Sequence, residues 1–142
     1  MNIRQALKAK NKLVSEINEM WITVINNNSI EKGNPRHYNI IDILENLDRK
    51  TKELIELKTK IHKANTPVYH LIFEMSELKN VATRIKNINT EEGKVNNYRS
   101  SIESIKEVQI NEKQKRDFIL EIQNKIEIIQ EKLDQFNIGT EI

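Results

Sequence analysis

Cysteine is absent from the 142-residue chain, which excludes a disulfide framework, thiolate zinc or iron–sulfur ligation and a cysteine nucleophile. Glycine and proline number only three and two, so long stretches run without a helix breaker. Gly33, Gly93 and Gly139 are isolated from one another, which rules out a glycine-rich phosphate loop. Aromatic residues make up 5%, and no recognition-helix motif accompanies them. An excess of one charge is missing as well. With 23 Lys+Arg against 21 Asp+Glu, the formal net charge is +2, so neither a basic arm nor an acidic tail dominates. No run approaches the roughly 18 consecutive apolar residues of a membrane span. The first 14 residues carry Arg4, Lys8, Lys10 and Lys12 without the apolar core of a secretory signal. A cytoplasmic protein is the expectation.

What is present is 37% apolar and 31% charged residues, a mixture too apolar for a disordered chain. Its periodicity is helical. Ile3, Leu7, Val14, Ile17, Trp21 and Val24 fall on alternating steps of three and four, with Lys10 in the missing place, a heptad-like seam. That helix is expected to end at Asn26-Asn27-Asn28, before an exposed loop containing Gly33-Asn34-Pro35. Asn39, with Asp42 three residues on, is a candidate N-cap. It opens a helix whose stripe of Ile40, Leu44, Leu47, Leu54 and Ile61 is widened by Ile43, Ile55 and Leu57. A stripe this wide implies more than one neighbour. Thr66-Pro67 predicts a third helix, with Thr66 as cap and Pro67 at its first position. Val68, Leu71, Met75, Leu78, Ala82 and Ile85 carry its seam.

Residues 91–110 keep no steady period. Gly93, Asn96 and Asn97 argue for a turn, and Val108-Gln109-Ile110 alternates like a short extended piece, so a loop with a small hairpin near 98–110 is expected. Asn111 and Gln114 then form a cap for the last helix. Its seam is Phe118, Ile122, Ile126, Ile129, Leu133 and Phe136, with a stop at Gly139. The sum is an all-α antiparallel bundle of four helices, about 2–26, 40–64, 67–89 and 112–137, in a single domain. Trp21 is expected in the core or a subunit interface. Ile25, Ile41, Ile119 and Ile128 lie beyond the main seams and need burial, which self-association would supply.

Chemistry is thinly represented. His70 and Glu74 lie at i, i+4 with Glu77 on the same face; they are the candidate metal pair, but a metal site wants at least three protein ligands. His37 reads as turn chemistry. The pairs Glu53–Glu56 and Glu127–Glu131 are solvated helix faces rather than acid–base dyads. Residues 1–65 carry 12 basic and 8 acidic side chains, and the remainder 11 and 13. A basic face of Arg4, Lys8 and Lys12 could therefore touch phosphates or a membrane surface. Asn65 and Asn137 sit at helix ends, where a left-handed terminating residue is the ordinary role of asparagine.

Ile61-His62-Lys63-Ala64-Asn65-Thr66, followed by Leu71 and Ser76-Glu77-Leu78-Lys79, resembles the central region of the septicolysin-like proteins. Tyr98-Arg99-Ser100-Ser101-Ile102, then Val108-Gln109-Ile110, a long amphipathic helix and the ending Asn137-Ile138-Gly139-Thr140-Glu141-Ile142 follow the same order. Ile138 and Ser104 depart from the pattern, where members often carry Trp. The resemblance implies a small, mostly helical bacterial protein of no established activity. It carries over no catalytic residue, and implies a cytolysin-like role only through the family's name.

Together these residues predict a non-catalytic, homo-oligomeric interaction or scaffold protein that needs no cofactor. Asn65, Tyr98, Arg99 and Asn137 are the candidate polar cluster for a ligand or partner. A nucleic-acid or membrane-surface binder is the first alternative, and a metal-dependent enzyme the second.

Overall fold

Each end of the first helix is set by short polar side chains. In the computed structural model, which describes residues 1–96 and 103–142, α1 spans Ile3–Asn27. Asn2 closes a reciprocal capping box. Its side chain accepts from the Gln5 N–H at 2.9 Å, and its own N–H donates to the Gln5 side chain at 3.0 Å, satisfying two donors that a helix start leaves open. At the other end the Asn27 amide donates to the Thr23 carbonyl at 2.8 Å, the competition for backbone partners expected of this asparagine run.

α2 spans Ile40–Ala64. The Asn39 side chain caps it by accepting from the Asp42 N–H at 3.2 Å, with the Asp42 carboxylate favourably placed in the first turn. Asn65 is the C-cap, as its position indicates, but with φ −78° and ψ −6° it is right-handed, not left-handed. The start expected at Thr66-Pro67 is also corrected. Thr66–Val68 form a 3-10 turn, and the α-helical geometry of α3 begins at Tyr69. The Thr66 hydroxyl donates backwards to the Lys63 carbonyl at 2.8 Å, so it finishes α2 instead of accepting from the helix that follows.

α3 spans Tyr69–Lys86, β1 Gly93–Asn96, β2 Glu103–Lys106 and α4 Glu112–Gly139. The strands pair antiparallel, Gly93 opposite Lys106 and Asn96 opposite Glu103. Val108-Gln109-Ile110, expected to be extended, lies outside the sheet and ends in a bend; the ladder closes before it, at Lys106. The Asn111–Gln114 capping box is present in both directions, at 2.9 and 3.0 Å. Gly139 ends α4 as expected, though its φ is not positive. Among the described residues the fold is all-α, of the helical-bundle class, with four long helices and one small hairpin.

The chain divides into two compact units, Met1–Val68 with Asp134–Ile142, and Tyr69–Leu133. In the first, α1 and α2 run antiparallel. Leu13, Ile17, Val24 and Leu47 form its core, with Met20, Ile40, Ile43 and Leu54 packed on them. The buried heptad on α1 runs 3-6-(10)-13-17-(20)-24. It shares Ile3, Ile17 and Val24 with the expected seam but takes Ala6, Leu13 and Met20 in place of Leu7, Val14 and Trp21. Trp21, 44% exposed, is not in the core.

The last residues of the chain close over the start of α1. The Ile3 N–H donates to the Thr140 carbonyl and the Ile142 N–H to the Met1 carbonyl, both at 3.0 Å, around a bridge between Asn2 and Glu141. Beneath them Ile3 and Ala6 have no exposed surface.

In the second unit the expected seam of α3 holds, with Ala82 buried and Leu71, Met75, Leu78 and Ile85 half-buried. On α4, Ile122, Ile129 and Leu133 are buried, whereas Phe118 is 45% exposed. The end of α3 is tied to the start of α4 by polar contacts. The Thr90 hydroxyl donates to Glu112, and the Lys115 ammonium donates to the Ile88 carbonyl at 3.1 Å. Across the hairpin base Lys106 pairs with Glu91 at 3.1 Å.

Leu47 is 2% exposed. Leu47→Ala should therefore lower the unfolding free energy by about 2–5 kcal/mol. Leu120→Ala, at a site 57% exposed, should stay within about 0.5 kcal/mol of the parent. Urea denaturation followed by circular dichroism measures both, and equal losses would place Leu47 outside the core.

Candidate functional site

α1 ends in asparagines with no base in its last turn, leaving carbonyls that the helix cannot satisfy itself. The loop supplies the missing cation. Arg36 reaches back so that one guanidinium nitrogen donates to the Asn27 carbonyl at 2.7 Å and the Asn28 carbonyl at 2.9 Å. That contact also lies on the favourable side of the helix dipole. The loop can return this far because it turns at Gly33, whose φ of +96° suits a residue without a Cβ. The Asn34 N–H donates to the Glu31 carbonyl at 3.1 Å and closes the turn.

With the loop fixed, Tyr38 stands beside the first turns of α2. A shallow cleft of about 340 Å³ is lined by Asn28, Arg36 and Tyr38 with Asn39, Ile40, Ile41 and Leu44. Its surroundings are apolar and open. Trp21 is 44%, Ile25 74%, Ile41 64% and Tyr38 48% exposed. At about 100° per residue, Trp21 and Ile25 sit roughly 60° and 100° from Val24 on α1. Leu44 and Ile41 sit roughly 60° and 120° from Leu47 on α2, in the same rotational sense. In an antiparallel pair, equal senses open on the same side. The two helices therefore present one shared apolar face at the loop end of their hairpin.

Periodicity alone pointed to some of these residues, since Ile25 and Ile41 stand out as surplus apolar positions, whereas Trp21 and Leu44 were expected on the seams. Periodicity did not single out Tyr38, whose place depends on the loop that Arg36 holds. Of the other surplus positions, Ile128 is 56% exposed and Ile119 half-buried.

The residues singled out for chemistry fall on several elements. Tyr98 and Arg99 lie outside the described residues. Asn65 is half-buried at the end of α2. Asn137 is half-buried inside α4 and lines a second cleft of about 380 Å³ with Arg4, Leu7, Asp134 and Ile138. Arg4, Lys8 and Lys12 are all exposed on α1, and Lys12 approaches Glu16 at 3.9 Å. His70 and Glu74 are exposed on α3. Among the described residues no three His, Asp or Glu side chains are grouped to hold a metal ion. Among the described residues no helix is long and apolar enough to cross a membrane.

Displaced protonation equilibria belong to ion pairs and hydrogen bonds at the surface. A hydrogen bond from Lys50, at 2.8 Å, holds the Glu16 carboxyl below its usual value, with Lys12 adding to the effect. The Thr90 hydroxyl does the same for Glu112, and Asp48 raises Lys52. Glu16–Lys50 is also the ion pair that joins α1 to α2, 34 residues apart in sequence. No family model, curated protein or solved structure matches the chain.

Because the folded carboxyl of Glu16 is depressed, the pair stabilises the fold above the unfolded carboxylate pKa and stops doing so as pH falls through the folded one. Glu16→Gln should lower the urea midpoint at neutral pH. The gap to the parent should close below about pH 4, where carboxylates protonate in both states. A gap that persists unchanged in acid would assign the loss to packing rather than to charge.

Proposed function

We propose that the chain is a non-catalytic helical interaction or scaffold protein that works as a homo-oligomer. The observation that carries this reading is the shared face of α1 and α2, where Trp21, Ile25, Ile41 and Leu44 stand in solvent with Tyr38 beside them. Soluble chains scatter single apolar residues over their surfaces freely, but a contiguous patch on two helices marks a contact surface. The ionisable groups support the same reading. Among the described residues, those with displaced pKa values owe the shift first to a side-chain hydrogen bond, from Lys50 to Glu16, from Thr90 to Glu112 and between Lys52 and Asp48. Proton-transfer groups are typically shifted by desolvation in a cleft.

Contact through apolar faces survives salt, whereas contact between opposite charges is screened by it. Size-exclusion chromatography with light scattering should give an integer multiple of the 16.7 kDa chain mass in both low and high salt. A mass of one chain at every loading concentration overturns the proposal.

A further inference from the structure

The geometry points to a second copy of this chain as the occupant of the α1–α2 face, in a two-fold dimer that buries Trp21. The inference rests on the oligomeric reading above and assigns its surface and symmetry. Three observations carry it.

The first is continuity along α1. Leu7, Val14 and Trp21 form a second heptad stripe beside the core. Its beginning is covered within the same unit. Leu7 is half-buried and shares a cleft with Asp134, Asn137 and Ile138 from the last turns of α4. Val14 is half-buried too. The stripe then runs out uncovered at Trp21 and Ile25. An apolar helix stripe asks for cover along its whole length, and the described residues cover only one end of it.

The second is area. An aromatic side chain carries about 150–250 Å². At these exposures, Trp21, Ile25, Tyr38, Ile41 and Leu44 together present on the order of 400–500 Å² of apolar side chain. A standard interface takes about 800 Å² from each partner. The patch thus provides about half of one copy's share, and the polar rim on the same face, Asn18 and Asn28 among it, is available for the remainder.

The third is charge. A two-fold contact sets a patch against itself, so a charged side chain near the axis faces its own sign. These five side chains carry no charge. Arg36, which lines the cleft, is occupied by the Asn27 and Asn28 carbonyls, and Asp48, on the same side of α2 one turn beyond Leu44, is paired with Lys52 at 2.7 Å. A face of this kind gives an oppositely charged partner nothing to select, yet meets the requirement of a self-contact. Two antiparallel hairpins laid face to face then complete a four-helix arrangement.

Trp21 is the only tryptophan, so its fluorescence reports this face alone. In a dilution series followed by light scattering and emission together, the emission maximum should move to shorter wavelength as the mass doubles. Ile25→Glu with Ile41→Glu should halve the mass of the concentrated sample and return the emission to longer wavelength. Phe73→Glu, on α3 at a site 62% exposed, should leave both readouts as in the parent. Circular dichroism must show parental helicity for each variant. If the double variant loses helicity, the wild-type emission series decides the matter by itself. An oligomer whose emission stays that of exposed indole, or a folded double variant that stays dimeric, overturns this assignment and leaves the oligomeric reading standing. A single-chain mass at every concentration overturns both.

Discussion

Leu47 is the most deeply buried residue of α2, on a helix with only one other buried position, Ile61. Around it stand Leu13, Ile17 and Val24 of α1. This narrow seam is the constraint on which the first unit depends. Two 25-residue helices joined by a loop of a dozen residues must lie antiparallel, and the seam decides which faces meet. A hydrophobic seam is not directional by itself. Polar contacts set its register: Glu16 with Lys50 near the middle, and Arg36 on the α1 carbonyls at the end. Surface ion pairs contribute little to net stability, but they distinguish one sliding position of two apolar stripes from the next.

The same seam explains why an apolar face remains. The apolar side of α1 is wider than one helix can cover, because positions 6, 13 and 20 and positions 7, 14 and 21 both flank the shared series 3, 17 and 24. α2 packs on the first flank. The end of α4 attends to the start of the second, beside Leu7, and the residues after it bond to the backbone of Met1 and Ile3, above the buried Ile3 and Ala6. Nothing in the sequence of the 29–38 loop is apolar enough to do likewise at the other end, where only Ile30 is half-buried. The exposed face thus follows from the width of the stripe and the polarity of the loop together.

Elements set by local interactions were legible in the sequence. Asn39 and Asn111 cap helices through contacts spanning three residues, so their signal is complete within four positions. The all-α class follows as directly from periodicity and the scarcity of breakers. Choices between near-equivalent neighbours were less legible. Leu13 against Val14, or Met20 against Trp21, is a difference of about 100° on one helix, and only the position of α2 resolves it. Thr66 illustrates a second limit, because a hydroxyl before proline can cap forwards or bond backwards. Here the backward bond to Lys63 prevails, and α3 starts later for it. The hairpin was legible as a departure from helix but not in register, since a four-residue strand carries too few alternations to fix one.

The candidate face was legible as a surplus and not as a surface. Ile25 and Ile41 stood out because the seams did not use them, yet they are 16 residues apart in sequence and share a face only because the helix pair is antiparallel. Leu44 looked like core and Tyr38 like loop. What joins them is Arg36, a residue whose role depends on the carbonyls at the end of another helix. A long-range polar contact of that kind leaves no periodic trace. It nevertheless decides how much of the apolar stripe the loop leaves open to solvent.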